Sequence, residues 1–529
     1  MQRSRARRFG ALLVGLTLVA AACGDDDETS DATDAVTEET ADGGAVTTAA
    51  SAATPAGSDT TMGAATTAGG AATTMAEAAT TMGADTTAGT DTTAGTDTTA
   101  GTDTTAGADT TAGADTTAGA DTTAGADTTT GGTGGGAAEE AAPTCTGESD
   151  GILNIATVLP ETGNLAFLGP PEFAGAELAV ADINAAGGVL GADVVLDQGD
   201  SGDTSTDIAN QTVDRQLAAG ADAFIGAASS GVSFTFIDKL VENCKIHFSP
   251  ANTSPDFTTY ADDDLYFRTA PSDVLQGRVL ADLMISDGIT NATFMALQDP
   301  YGEGLLRYSS EPFEEQGGQV VDSFTYDPQA PNFDAEVDRV VSGDPDALVL
   351  IGFEESAQVL SALFEAGFTA SEKGIYLVDG NVGNALGEQL PPGSLVGVKG
   401  TLPQAELTED FQAQLLEVDP ELIDFSYGPE TYDAVVITAL AAALADTDDP
   451  AQVAAQINGV TRDGTACTTF EECIALVDAG DDIDYDGPAG PMTFGPEGEP
   501  TEASFAILSY DEENMVGGAV PTEYQFANI

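Results

Sequence analysis

Hydrophobic positions are spaced unevenly along this chain, and the spacing divides it. After Cys145, short runs rich in β-branched residues alternate with longer stretches whose apolar residues recur every three or four positions. Ile152–Leu159 reads as a buried strand, and Pro171–Ala186 as a helix stopped by Gly187-Gly188. Strands follow at Asp193–Asp197, Ala223–Ile225 and Lys245–Ser249, with helices over Asp207–Ala218 and near Phe234–Val241. The rhythm restarts after Asp273. Helices are predicted over 274–287, 303–316, 333–342 and 355–366, and strands at Thr293–Leu297, Val320–Phe324, Ala347–Ile351 and Gly374–Val378. Regular βαβ alternation predicts parallel, doubly wound sheets, and the 385 residues from Cys145 onward are enough for two α/β lobes. Ligands in such folds sit at the carboxyl ends of the strands.

The first 143 residues show no such pattern. Residues 1–23 place four arginines (Arg3, Arg5, Arg7, Arg8) before an apolar run from Phe9 to Ala22, too short to span a bilayer comfortably. The run ends in Ala20-Ala21-Ala22-Cys23, which resembles a bacterial lipobox, and the chain turns polar at once with Gly24-Asp25-Asp26-Asp27. The resemblance implies cleavage before Cys23 and its lipidation; two acyl chains give stable membrane attachment. Residues 24–143 lack aromatic residues, and an Asp-Thr-Thr hexad recurs with its Asp at 85, 91, 97, 103, 109, 115, 121 and 127. Without apolar inward positions this repeat cannot build a solenoid core, so a disordered Thr/Ala/Gly/Asp tether is expected.

Charge narrows the function further. Fourteen Lys and Arg stand against 88 Asp and Glu, a formal net charge of −74. That balance excludes a nucleic-acid binder, which needs clustered cations to neutralise phosphates. One histidine, His247, and five cysteines without metal-ligand spacing give no support for a metal or another cofactor. GAASSG at 226–231 is not G-x-S-x-G, and His247 lies inside a predicted strand, so a Ser/His/Asp catalyst has no basis. No enzyme is expected. Gly131–Gly136 lacks the Lys-Ser/Thr of a phosphate loop. Asp482, Asp484, Asp486 and Gly487 fit the first half of a calcium loop, but position twelve is Thr493 rather than Glu. Pro488 and Pro491 block the helix that should follow, which leaves an acidic chain crossing as the reading.

Specific segments then carry a family resemblance. VLPETGNLAFLGPPEFAGAELAVADINAAGGVLG, IGAASSGVS, SPANTSPDFT, FRTAPSDVLQG, DPYGEGL, YLVDGNVGNAL and YDAVVITALA follow one another in order across 150–495. They resemble the branched-chain amino-acid (Leu/Ile/Val-type) binding proteins of ABC transporters, of the periplasmic-binding-protein type I fold. The resemblance implies two lobes joined by a three-segment hinge, with crossings near Thr269–Asp273, Lys399–Gln404 and Asp484–Gly490. The expected lobes are 145–271 plus 404–484, and 272–403 plus 485–529.

The resemblance also assigns a site. Ser230, beside Ser229, matches the serine that holds the ligand carboxylate. Thr253 matches the threonine that meets carboxylate and ammonium, with the Ala251 carbonyl beside it. Hydroxyls and backbone N–H groups suit a carboxylate because they neutralise it without a buried cation; both positions also suit helix caps. Tyr301 matches a tyrosine that closes over the ligand. Where the family carries a Glu for the ammonium, the sequence reads Asp379-Gly380-Asn381, so Asp379 takes that role one position away and one methylene shorter. Phe353 replaces a family tyrosine and Leu168 an aromatic slot, as pocket walls or as core.

With Cys23 lipidated, four cysteines allow three disulfide connectivities. Cys467 and Cys473 flank the short turn CTTFEEC and form the economical local pair, leaving Cys145 to join Cys244 at the same edge of the first sheet. The function implied is a monomeric, lipid-anchored, extracytoplasmic receptor that passes a small ligand, foremost a branched-chain or other amino acid, to ABC permease subunits. A clamshell sensor for a membrane receptor, or a binder of amides or urea, is the alternative.

Overall fold

The computed structural model describes residues 142–528; Cys23, the signal segment and the tether up to residue 141 lie outside the described residues. Parallel strands β1 (Asn154–Val158), β2 (Val195–Asp197), β3 (Ala223–Gly226), β4 (Ile246–Ser249) and β5 (Tyr266–Arg268) form the first sheet, in the order β2-β1-β3-β4-β5. Then come β6 (Asn291–Leu297), β7 (Gln319–Tyr326), β8 (Ala347–Ile351), β9 (Gly374–Leu377) and β10 (Lys399–Pro403). β11 (Thr465–Cys467) and β12 (Ile483–Tyr485) make a small parallel pair, and β13 (Glu502–Ser509) and β14 (Glu523–Asn528) end the chain. The second sheet runs β14-β13-β10-β9-β8-β6-β7.

Each sheet therefore repeats one winding. Reading β6 as first strand, β7-β6-β8-β9-β10 has the same order as the first sheet, so both reverse direction of winding beside their first strand. Loops diverge at that reversal and leave a crevice for a ligand. The second sheet differs in being mixed, because β13 pairs antiparallel with β10 and with β14.

Apolar burial follows the sequence pattern. Continuous buried runs such as Ala347–Ile351 and Ala223–Gly226 are covered on both faces, as strands in parallel sheets must be. The helix Gly169–Ala185 crosses the helix Gly428–Ala445 closely in the first lobe. A Cβ on Gly175 would stand 2.2 Å from the Gly428 carbonyl oxygen, so only glycine permits this approach. The helix expected near Phe234–Val241 is broken into Ser230–Ser233 and Ile237–Glu242. The break lets Phe236 enter the core while Phe234 stacks on Phe257 at 4.0 Å.

Cys145 is joined to Cys244 and Cys467 to Cys473, the expected pairing. The third crossing is not where the sequence put it. Ile483–Tyr485 is strand β12, and Tyr485, Met492 and Phe494 pack into the first lobe, with Phe494 6.1 Å from Phe248. The Gly498 carbonyl accepts the Arg268 N–H at 3.0 Å, so the chain leaves the first lobe only between Pro500 and Glu502. Aromatic burial holds the acidic segment 485–500 against the first sheet, overriding its polar appearance.

Candidate ligand-binding cleft

The first lobe brings small groups to the crevice. Ser229 caps the helix Ser230–Ser233, its hydroxyl accepting the Val232 N–H at 3.3 Å. The Ser230 hydroxyl accepts the Ser254 N–H at 3.3 Å, which ties the loop after β3 to the loop after β4. Ala251 and Thr253 lie in that second loop and are buried. The Thr253 carbonyl accepts the Asp273 N–H at 2.8 Å, while its hydroxyl makes no hydrogen bond within the protein. Leu168, at the end of the loop after β1, is buried with Leu165 in a cluster shared with second-lobe residues.

The second lobe brings rings and acids. Tyr301 starts the helix after β6 and stacks on Phe353, after β8, with centroids 5.4 Å apart and planes 10° from parallel. Its hydroxyl donates to Asp379 Oδ1 at 2.8 Å. Gln276 donates to the same oxygen at 2.8 Å, and the Tyr427 hydroxyl reaches Oδ2 at 2.8 Å. Tyr427 precedes the helix Gly428–Ala445 of the first lobe with φ 61°, an unusual conformation for a bulky residue, so its bond to Asp379 spans the two lobes. The lobes also meet where the Ser254 hydroxyl donates to the Pro300 carbonyl at 3.1 Å and the Glu354 N–H to the Asn164 carbonyl at 3.3 Å.

Two carboxyls share this interior. Burial raises the Asp379 pKa, against which the hydroxyls of Tyr427 and Tyr301 and the Gln276 amide act. Asp273 is fully buried, and burial first, then the Asp379 charge, push it well above the usual carboxylate range. Neither Asp273 oxygen makes a hydrogen bond of good geometry, although the nearby Thr253 hydroxyl opposes the shift. Of the pair, three donors favour the charged form at Asp379, while burial and the Asp379 charge favour the neutral carboxyl at Asp273. Asp299, at the mouth beside Gly231, is pushed up to about 7 by burial. His247 is far from this chemistry: buried in β4 with Nε2 2.7 Å from the Gly226 carbonyl, it is pulled down to about 3.

Nearby, Arg268 is fully buried and binds Glu499, just before the third crossing, with Nε 2.9 Å from Oε2. Its Nη1 donates to the Asn252 and Ser254 carbonyls at 3.2 and 2.8 Å. The structure thus groups Tyr301, Phe353 and Asp379 on the second lobe and places Ser229, Ser230, Ala251 and Thr253 on adjoining loops of the first. Sequence reasoning missed Asp273, Gln276 and Tyr427. The first two stand three apart in SDVLQG, a spacing that puts both on one helix face. Among the described residues, no group of three or more His, Cys, Asp or Glu is placed to hold a metal ion, and no helix is long and apolar enough to cross a membrane.

Two lobes of identical winding that meet through hydroxyl-bearing loops and an acid–tyrosine cluster have the architecture of a two-lobed receptor. The periplasmic binding protein family model matches residues 153–513, and the chain belongs to that family. Leu/Ile/Val-binding protein homolog 3 of Brucella melitensis is 26% identical over 373 residues, 69% of this chain and 93% of the relative. A leucine-binding protein of Thermotoga maritima superposes with a TM-score of 0.58 at 20% identity, covering 71% of this chain and 99% of that one. A branched-chain amino acid transporter substrate-binding protein of Streptococcus pneumoniae, in complex with isoleucine, gives 0.58 at 19% identity over 71% and 100%. A solute-binding protein of R. palustris, in complex with benzoate, gives 0.56 at 18% over 70% and 98%. The homologues point to an ABC-transporter substrate-binding protein of the branched-chain amino-acid type. Such proteins are solute carriers rather than enzymes, and the family indicates an extracytoplasmic location.

Proposed function

We propose that this chain is the lipid-anchored receptor of an ABC importer and captures an amino acid, with branched-chain side chains foremost, for the permease subunits. The carrying observation is the opposition of chemistries across the cleft. Ser230, Thr253 and the loop backbone offer hydroxyl and N–H donors on one wall, suited to a carboxylate. The wall around Asp379 offers negative charge, suited to an ammonium, and Tyr301, Phe353 and Leu168 supply apolar surface for a side chain. The R. palustris neighbour holds benzoate, an anion without an ammonium. A buried pair of acids sets this cleft against such a ligand. In this reading Cys23 carries the lipid and residues 24–143 tether the two lobes.

Calorimetry against a panel of L-amino acids tests the site. Thr253→Ala should weaken binding by about 1.5–3 kcal/mol, the range for a hydrogen bond to a charged group. Unchanged affinity in both Thr253→Ala and Asp379→Asn would remove the cleft from consideration.

A further inference from the structure

Four acceptor atoms lie orphaned at the hinge side of the cleft. Asp273 Oδ1 and Oδ2, Gln276 Oε1 and Thr253 Oγ1 are buried and make no hydrogen bond of good geometry, the Thr253 hydroxyl being the one group close enough to act on Asp273. They are neighbours: Asp273 and Gln276 share the first turn of the helix Asp273–Ser286, and the Asp273 N–H is bonded to the Thr253 carbonyl. Native interiors leave few such atoms, and a buried carboxylate without a donor is among the most costly. Asp379 is in the opposite condition, already receiving Tyr301, Tyr427 and Gln276.

We propose that Asp273, with Thr253 and Gln276 Oε1, takes the ligand's ammonium, while Asp379 positions Tyr301 and Tyr427 across the lobes. A group with three N–H donors and a positive charge matches what these acceptors lack. The helix opposite contributes no side chain at Gly304, where Pro255 packs in and Asp273 Oδ2 lies 3.8 Å from where a Cβ would stand. The charges facing Asp273 are Asp379, Asp299 and Arg268, with the Tyr301 and Tyr427 hydroxyls and Thr253 beside them. Arg268 draws the Asp273 pKa down from a distance, but its hydrogen bonds go to Glu499 and to backbone carbonyls rather than to the pair. Binding an ammonium then expels the proton from the Asp273 carboxyl to solvent and leaves a carboxylate–ammonium ion pair. The ligand class is an amine-bearing solute, which rests on the amino-acid reading above.

The test uses the full chain, the tightest-binding L-amino acid of the panel and its des-amino acid (4-methylpentanoate for leucine). Asp273→Asn, nearly isosteric, should weaken the amino acid at least a hundredfold and the des-amino acid less than threefold. Asp379→Asn should weaken both alike. Calorimetry of the unaltered protein in two buffers of different ionisation enthalpy should show about one proton released per amino acid and none for the des-amino acid. If Asp273→Asn keeps the amino-acid affinity, or loses both ligands equally, or if no proton is released, the assignment to Asp273 is overturned while the receptor reading stands. If the unaltered protein binds no amine in the panel, both are overturned.

Discussion

The two lobes share a winding but meet the cleft with different chemistry. The first lobe presents short hydroxyls and backbone on loops tied to one another, and both disulfides staple it. The second presents the Tyr301–Phe353 stack and Asp379, and its cohesion rests on packing and on the antiparallel β13–β14 ribbon. A stapled wall of small groups defines where a ligand lands. In the proposed reading, the longer side chains of the second lobe close over the ligand that the small groups receive. Tyr427 belongs to the first lobe and yet serves the second, so enclosure depends on both.

Removing the long staple should separate the lobes most strongly. Cys145 and Cys244 are 99 residues apart, and a loop of that length confers up to about 4.7 kcal/mol through the unfolded chain. The double Ser variant should lose about 3–5 kcal/mol, with calorimetry showing a first-lobe transition moved down and a second-lobe transition left in place. One transition shifting as a whole would instead make the lobes a single cooperative unit.

The Tyr427 hydroxyl is the next lever. Tyr427→Phe removes an interlobe bond to a charged acceptor and should cost about 1.5–3 kcal/mol of ligand affinity, appearing in stopped-flow traces as faster release. Tyr301→Phe removes a bond inside the second lobe and should lower that lobe's melting temperature more than it speeds release. Equal effects on release would end the distinction between a latch and an internal brace.

A smaller effect is set by pH and acts in both lobes, since Asp299 of the second is pushed up to about 7 as well. Burial pushes Glu430 up from its ordinary 4.5 to about 8 and Asp433 from 3.8 to about 7, both on the first-lobe helix Gly428–Ala445. A carboxyl with a raised folded pKa stabilises fully below its unfolded value, and that contribution disappears as pH climbs through the folded one. His247, pulled from 6.5 to about 3, works the other way: its contribution is present above 6.5 and lost as pH falls toward 3. Between about pH 7.5 and 6.5 the carboxyls dominate, so acidification should raise the first-lobe melting temperature. Glu430→Gln should flatten that slope by at most about 1.4 kcal/mol per pH unit. An unchanged slope would mean Glu430 does not titrate in this window.

Strands β1–β4 and β6–β9 were legible, most plainly where burial on both faces makes a continuous apolar run, as in Ala347–Ile351, whereas β5, β10, β13 and β14 were not. The disulfide partners were legible from turn length and sheet edge. What escaped were features set by distant partners. Phe494 keeps an acidic segment in the first lobe only because Phe248 is there to receive it. Tyr427 faces Asp379 through a left-handed backbone that no periodicity announces. Asp273 looked like an ordinary helix start, an acid in the first turn where the dipole favours it. Its meaning comes from its missing partners.

Arg268 gives the molecule something like an axle. Its guanidinium grips Glu499, just before the last crossing, and, on its other edge, the carbonyls of the loop that carries Thr253. Points on an axle do not travel when the leaves of a hinge swing. The loop that carries Thr253 is therefore anchored beside the last crossing, where a hinge would displace it least. A planar fork with donors on two edges can hold both sides at once, whereas the single ammonium of Arg268→Lys would hold one and let the other slip.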